Sequence, residues 1–269
     1  MSDQNSSQGV QYQQRIVAFL DILGFRDLVI RSESDQNAFN KVIDSIIKIK
    51  RIADVRPTGY DYHASTFSDN IAISAKIDVE SLHYIFISIE ALTTNLMQIG
   101  CLCRGSVVVG NLVHNENMVF GRGLVSAHDF ENRLAKYPRI VLDDNIVDMV
   151  RQLTPEDTLG AMKRKLFRDF DGMYCMHYLN DLADIDINIP IKENPKLIVA
   201  YTTSYYMNKS IESCTSDPSA FEKYRYFSDY WRDAVDSPQA LSGRGLIPEI
   251  SIPQSLLDRR RRPFKTGID

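Results

Sequence analysis

Two acids sit where acids are costly. Asp21 interrupts RIVAFLDILGF (residues 15–25), an otherwise unbroken apolar run of the kind carried by a strand buried on both faces. Asp69 lies in Ser68-Asp69-Asn70, between two further strand-like runs, Tyr62–Phe67 and Ile71–Ala75, that read as a hairpin. An ionised carboxylate between Leu20 and Ile22 is unfavourable unless a cation or several donors meet it. A divalent metal supplies that partner. With the first strand and the hairpin as neighbours in one sheet, both acids reach one edge, where Mg²⁺ or Mn²⁺ takes carboxylate oxygens, a main-chain carbonyl and substrate phosphates. Ile22-Leu23-Gly24-Phe25 then leads into a helix, so free N–H groups and the helix dipole lie beside the metal and suit a polyphosphate. A plainer reading is open on the same residues: Asp21 caps the following helix and Asp69 is an ordinary turn acid.

The elements that must position these acids follow from periodicity. After Ser34-Asp35, a plausible N-cap, apolar residues fall at Phe39, Val42, Ile43, Ile46, Ile47 and Ile49, the spacing of an amphipathic helix that should cover one face of a sheet. A second helix is expected from about Val79 to Gln98, with Leu82, Ile85, Phe86, Ile89, Leu92 and Leu96 inward. Leu102–Gly110 reads as a strand and Met118–Gly121 as a short one, ahead of a helix through Ala127, Phe130 and Leu134 that Tyr137-Pro138 breaks. Arg139–Leu142 is a further strand before a helix capped by Asp143 or Asp144, and Leu166–Leu179 adds a closing hairpin around Asp171-Gly172. The order predicts an α+β sandwich, a mixed sheet with helices mostly on one face. Past Asn180 the composition shifts. The expected division is a flexible N-terminus (1–14), a site-bearing domain (15–182), and a C-terminal helical appendage with a basic tail, Arg259 to Arg262 (183–269). Phe221, Tyr224, Phe227 and Trp231 repeat at helical spacing and read as core or dimer contacts.

The composition is that of an ordinary globular protein. Of 269 residues, 44% are hydrophobic and 25% charged, which excludes disorder, and 31 basic residues against 35 acidic ones give a net charge of −4. Such a chain has no bulk attraction to nucleic acid or to a membrane, so an anionic ligand must be held by local chemistry. No window approaches the roughly 18 apolar residues of a membrane span, and the polar start MSDQNSSQGVQYQQ lacks a signal peptide's apolar stretch, so a cytoplasmic location is expected. Four cysteines, two in Cys101-Leu102-Cys103, fit neither zinc spacing nor a disulfide framework and are read as reduced thiols.

FLDILGF (19–25), TFSDNIAIS (66–74), RGSVVVG (104–110) and MVFGRGLVSAHDFE (118–131) resemble, in order and spacing, the motifs of class III nucleotide cyclases over roughly residues 15–180. The resemblance implies that Asp21 and Asp69, with the Ile22 carbonyl, hold two divalent metal ions, Mn²⁺ or Mg²⁺. It implies too that the amides of Leu23, Gly24 and Phe25, beside Phe19, cradle the phosphates of a nucleoside triphosphate. Sites in that family are composite, so a homodimer is implied, with Ser65 and Asp69 of one hairpin serving different sites.

The departures carry as much information. The family's purine-reading Lys or Glu, four residues before the second metal acid, falls on Ser65, and a second purine reader falls on Met118. Its ribose-orienting Asn is Val125 here and its transition-state Arg is Asp129. The missing cation must come from Arg104, the first choice, from Arg133, one helical turn past Asp129, or from Arg122 or Arg139. His128 reads as a packing or ribose contact and His63 as structural. Arg104-Gly105, Phe120-Gly121, Ala127 with Glu131, and Tyr137-Pro138-Arg139-Ile140 look like the pyrimidine cyclases of bacterial Pycsar antiphage systems. That resemblance implies conversion of UTP, with CTP second, to its 3′,5′-cyclic monophosphate, whose product switches on a separate effector protein. A non-catalytic, metal-dependent nucleotide sensor is the competing class, and a nucleic-acid module built on the Arg-rich tail is disfavoured by the net charge.

Overall fold

A strand that is apolar on both faces needs a neighbour on each side and a layer above and below. In the computed structural model, which describes residues 10–55, 57–154, 156–186, 188–214, 217–236, 247–251 and 265–266, the first strand has all four. The elements are β1 (Gln13–Ile22), α1 (Phe25–Ser32), α2 (Gln36–Ala53), β2 (Tyr62–Phe67), β3 (Asn70–Ala75), α3 (Val79–Met97), β4 (Cys103–His114) and β5 (Val119–Phe120), followed by α4 (Arg122–Leu134), β6 (Ile140–Leu142), α5 (Asp144–Arg151), β7 (Leu166–Arg168), β8 (Tyr174–Met176), α6 (Pro195–Cys214), α7 (Pro218–Val235) and β9 (Lys265–Thr266). The strands form one sheet in the order β2-β3-β1-β4-β6-β8-β7-β9, with β5 paired to β4. Among the described strands every neighbour pair is antiparallel except β4 with β6. This is the expected mixed α+β architecture. The helices α3 and α5 start on the side chains of Asp78 and Asp143, and α2 on that of Asp35.

Successive residues of β1 serve opposite layers. Ile16, Ala18, Leu20 and Ile22 enter the main core, which also takes Leu82, Ile85, Phe86, Ile89, Leu92 and Leu96 of α3 as their spacing predicts. Val17 and Phe19 enter a smaller cluster on the other face, with Val108 and Leu112 of β4 and Ala127 of α4. The second layer depends on close approach. A Cβ added to Gly110 on β4 would lie 2.5 Å from the Cα of Gly123 on α4, so helix and strand meet backbone to backbone. Below that contact Ser106 Oγ donates to the Ala127 carbonyl at 2.7 Å, fixing the helix along the strand.

Two expectations about layers change. Helix α2 has the predicted period but a shifted phase: Ile49 is buried and Val42 packs on the core as expected, but Phe39, Ile43, Ile46 and Ile47 are exposed, and Ala38, Ser45 and Ile52 are buried in their place. Small residues explain the choice. Ala38 and Ser45 let the helix approach the turn before β4, where Ser45 Oγ lies 3.5 Å from Cys101 Sγ and Lys41 Nζ donates to the Gly100 carbonyl at 2.9 Å. The second change concerns residues past 182. Leu197, Ala200, Met207 and Ile211 of α6 and Phe221, Phe227 and Trp231 of α7 join the same core as the sheet. Tyr226 donates to Asp169 Oδ2 at 2.6 Å, and the Tyr230 hydroxyl lies 2.8 Å from His177 Nδ1, so α7 is bonded to the β7–β8 end of the sheet. Residues 1–9 and the basic tail, Arg259 to Arg262, lie outside the described residues.

The Gly110–Gly123 contact has a measurable value. Gly110→Ala should lower stability by about 1–3 kcal/mol, the usual cost of overpacking, read from urea unfolding. An unchanged midpoint would show that α4 can lift off β4 without loss.

Candidate active site

In the register of the sheet, Asp21 stands opposite Asn70 on one side and Arg104 on the other. The three residues form a row across β3, β1 and β4 at the edge where the β2–β3 turn projects. That turn contains Ser68, whose φ of 58° is unusual for a residue with a side chain, and it places Asp69 beside Asp21. Burial pushes the Asp21 carboxyl up to about 6; the Arg104 guanidinium opposes the shift and the Asp69 carboxyl adds to it. Expected partners on separate elements are thus brought together.

Arg104 is the hub of this edge. Its Nε and Nη2 each lie 3.1 Å from Asp21 Oδ2, and its Nε lies 2.5 Å from Oε1 of Glu131, which α4 delivers from above. Glu131 is only 1% exposed. Its carboxyl is pushed up to about 7, chiefly by burial and further by Asp21, with Arg104 opposing. Asp21 and Glu131 therefore share one guanidinium with Asp69 beside Asp21, and the edge carries more acids than cations. Two aspartates and the main-chain carbonyl of Ile22 are hard oxygen donors, and they fit a divalent cation that completes its shell with water and phosphate oxygens. Among the described residues, no group of three His, Cys, Asp or Glu side chains converges to hold a metal by itself.

The loop after β1 matches its expected role in part. The Leu23 amide is not available to a phosphate, because it donates to the Leu102 carbonyl at 2.9 Å and extends the β1–β4 ladder. Gly24, with φ 76°, turns the chain into α1 as its N-cap, a position with no side-chain cap. The amides of Gly24 and Phe25 make no hydrogen bond to described residues and stand at the helix N-terminus. The Phe25 ring is buried in the main core, so only its amide is offered. Phe19 is buried too, its ring edge-on to His128 with centroids 5.3 Å apart, and supports the site from within the second layer.

Ser65 lies two rows inward from Asp21, opposite Ala72, which in turn stands opposite Phe19. Its hydroxyl is 3.0 Å from His114 Nε2. Met118 and Arg133 are not joined to this cluster. Met118 is exposed on the β4–β5 hairpin, and Arg133 is 78% exposed in the last turn of α4, its nearest acid Asp129 at 3.9 Å. Arg122 is exposed at the start of α4. Arg139 is withdrawn from the candidates for a transition-state cation, since it is buried with Nη1 2.6 Å from Asp169 and Nη2 2.6 Å from Asp171. Val125 and Asp129 point outward. His63 Nε2 lies 3.0 Å from Asp61 Oδ1, and none of the four cysteines is in a disulfide.

Glu131 and His114 were not expected as site residues. Glu131 carried a signal: with Gly123 and Ala127 it marks the buried stripe of α4, and an acid in such a stripe is as anomalous as Asp21. His114 carried none, because its partners are 40 and 49 residues away.

Removing the hub should leave buried acids uncompensated. Arg104→Met is expected to lose about 3 kcal/mol at neutral pH, measured by urea unfolding without added divalent salt. Adding Glu131→Gln to that variant should recover part of the loss. Equal losses in the single and double variants would refute a shared guanidinium.

No family model matches the chain, and no curated protein matches it. Among solved structures it is similar to a class III adenylyl cyclase-like ATP-binding protein from Pseudomonas aeruginosa, at 9% identity and a TM-score of 0.44, over 65% of this chain and 41% of that one. It is also similar to an adenylate/guanylate cyclase/hydrolase from Silicibacter pomeroyi, at 10% identity and a TM-score of 0.37, over 61% of this chain and 95% of that one. The chain thus spans less than half of the first protein's length.

Proposed function

We propose that this chain is a pyrimidine nucleotide cyclase, converting UTP to 3′,5′-cyclic UMP and pyrophosphate. The observation that carries the reading is the pairing of Asp21 and Asp69 at one sheet edge, under the open amides of Gly24 and Phe25. Asp21, Asp69 and the Ile22 carbonyl would hold two divalent ions, Mn²⁺ or Mg²⁺, which lower the pKa of the attacking 3′-hydroxyl and neutralise the leaving phosphates. The chain's own groups do the rest. Gly24 and Phe25 orient the polyphosphate with their amides and the dipole of α1. Arg104, whose Nη1 is free of hydrogen bonds among the described residues, faces charge developing at the α-phosphorus. Ser65 meets the base with a short hydroxyl, and Met118 fills space that the second ring of a purine would need.

A homodimer accounts for what one chain leaves unfinished. Phe67 is exposed beside the acids, and Tyr12, Met118, Phe120 and Val125 are exposed toward the other end of β1 and β4; apolar side chains in such number are typical of a contact surface. A second chain laid there would bring its Arg122, Arg133 and Met118 to the acids of the first. The motif likeness supports a bacterial role in antiviral defence, with the cyclic nucleotide acting on a separate effector protein. That Val125 and Asp129 replace polar catalytic groups favours a second reading, a non-catalytic sensor of metal-bound triphosphate.

Incubation with all four triphosphates and Mn²⁺ separates the readings. Cyclic UMP and pyrophosphate are the expected main products, with CTP second and ATP and GTP poor, whereas cyclic AMP or cyclic GMP as main product would refute the base assignment and binding without pyrophosphate would establish the sensor. Asp69→Asn should cut turnover by about 100-fold or more and leave a dimer of normal size. Composite sites predict one further result: mixing Asp21→Ala chains with Ser65→Ala chains restores the wild-type preference for UTP, because each mixed dimer keeps one intact site. Full activity in a monomer would overturn that arrangement.

A further inference from the structure

Ser74 on β3 is fully buried, and its hydroxyl meets two groups, Arg15 Nε at 3.0 Å and His114 Nδ1 at 2.9 Å. A guanidinium N–H only donates, so Ser74 Oγ accepts from Arg15. The hydroxyl proton then has one acceptor among the described residues, His114 Nδ1, and a buried donor left without an acceptor is destabilising. Nδ1 therefore accepts. In a neutral imidazole the ring proton is then on Nε2, which lies 3.0 Å from Ser65 Oγ. The ring is neutral because burial, reinforced by the nearby His63 and Arg15, holds its pKa down to about 4. Arg15 cannot turn away, since Asp61 grips it at 2.7 and 2.9 Å and Gln13 Oε1 takes a further N–H at 3.0 Å.

The direction of every bond in this chain is thereby set, from Arg15 through Ser74 and His114 to Ser65. Ser65 Oγ receives the Nε2 proton, so its own proton cannot point back at His114. No described residue accepts that proton, and it is offered to the open side of the sheet. We infer that His114 is a positioning residue that presents Ser65 as a hydrogen-bond donor, and that this selects a base bearing an acceptor oxygen, the 4-carbonyl of uracil, over the 4-amino group of cytosine. The inference rests on the pyrimidine cyclase reading of the site. Without the relay a serine donates or accepts with equal ease. With it, a cytosine amine and the Ser65 proton face each other as two donors, a mismatch that a closed site penalises by about tenfold or more.

The test has two arms. A ¹⁵N-edited spectrum of the free protein at neutral pH should show His114 protonated at Nε2 and bare at Nδ1; the opposite tautomer overturns the relay whatever the protein catalyses. In the second arm, kcat/KM is measured for UTP and CTP. His114→Ala should lower the UTP-over-CTP ratio about tenfold, mainly through KM, Ser65→Ala should lower it similarly, and the double variant should go no further than Ser65→Ala alone. A ratio unmoved by His114→Ala, or losses that add in the double variant, would overturn the inference. Should the wild-type chain cyclise no pyrimidine, the cyclase reading fails, and the tautomer still decides the relay.

Discussion

The structure is organised around the problem of keeping carboxylates in a sheet. Asp21 belongs to a strand that must be apolar to be covered on both faces, yet it stands at the penultimate position of that strand, where one row of residues reaches the edge. Arg104 is the interaction that makes this tenable. It lies across from Asp21 in the antiparallel ladder and also meets Glu131 from the helix above. One guanidinium meets two of the three acids at this edge, so the fold gathers more negative charge there than it neutralises. A buried charge whose partner is removed costs more than the pair contributes, and this makes the edge both a liability in stability and a site for chemistry.

Everything that approaches this edge is held by backbone rather than by long side chains. The second layer rests on two glycines in contact, the loop before α1 turns at a glycine with positive φ, and the second acid is carried on a tight turn. Such supports have few alternative positions. They fix the backbone from which Glu131 reaches Arg104 and Asp69 reaches Asp21, the kind of preorganisation that electrostatic catalysis requires.

How much of this was readable beforehand divides along physical lines. Strands, the hairpin, the caps of α2 and α5 and the buried stripe of α3 were legible because each depends on residues within a turn or two of one another. Asp21 and Asp69 were legible as anomalies, acids in patterns that call for something else. The phase of α2 was not, because two apolar stripes compete on that helix and the choice depends on small residues facing a distant turn. Leu23 was read as a free amide because the ladder that consumes it joins residues 79 positions apart. Arg139 was taken for an available cation for the same reason: its acids, Asp169 and Asp171, arrive on a later hairpin. The relay through His114 was invisible, since periodicity says which side chains share a face and nothing about which hydroxyl they meet.

The central position of β1 also bears on how the protein is made. Among the described strands it is made first, but Asp21 meets Arg104 only after 83 further residues have been added. Its other neighbour, β3, arrives earlier, and the parallel partner of β4 later still. Contacts so distant in sequence make for slow folding, and through that interval one edge of RIVAFL has no mate. A nascent chain in this state offers an apolar edge to any other copy nearby. The arrangement that gives the mature protein its charged row thus leaves its youngest form in need of shelter.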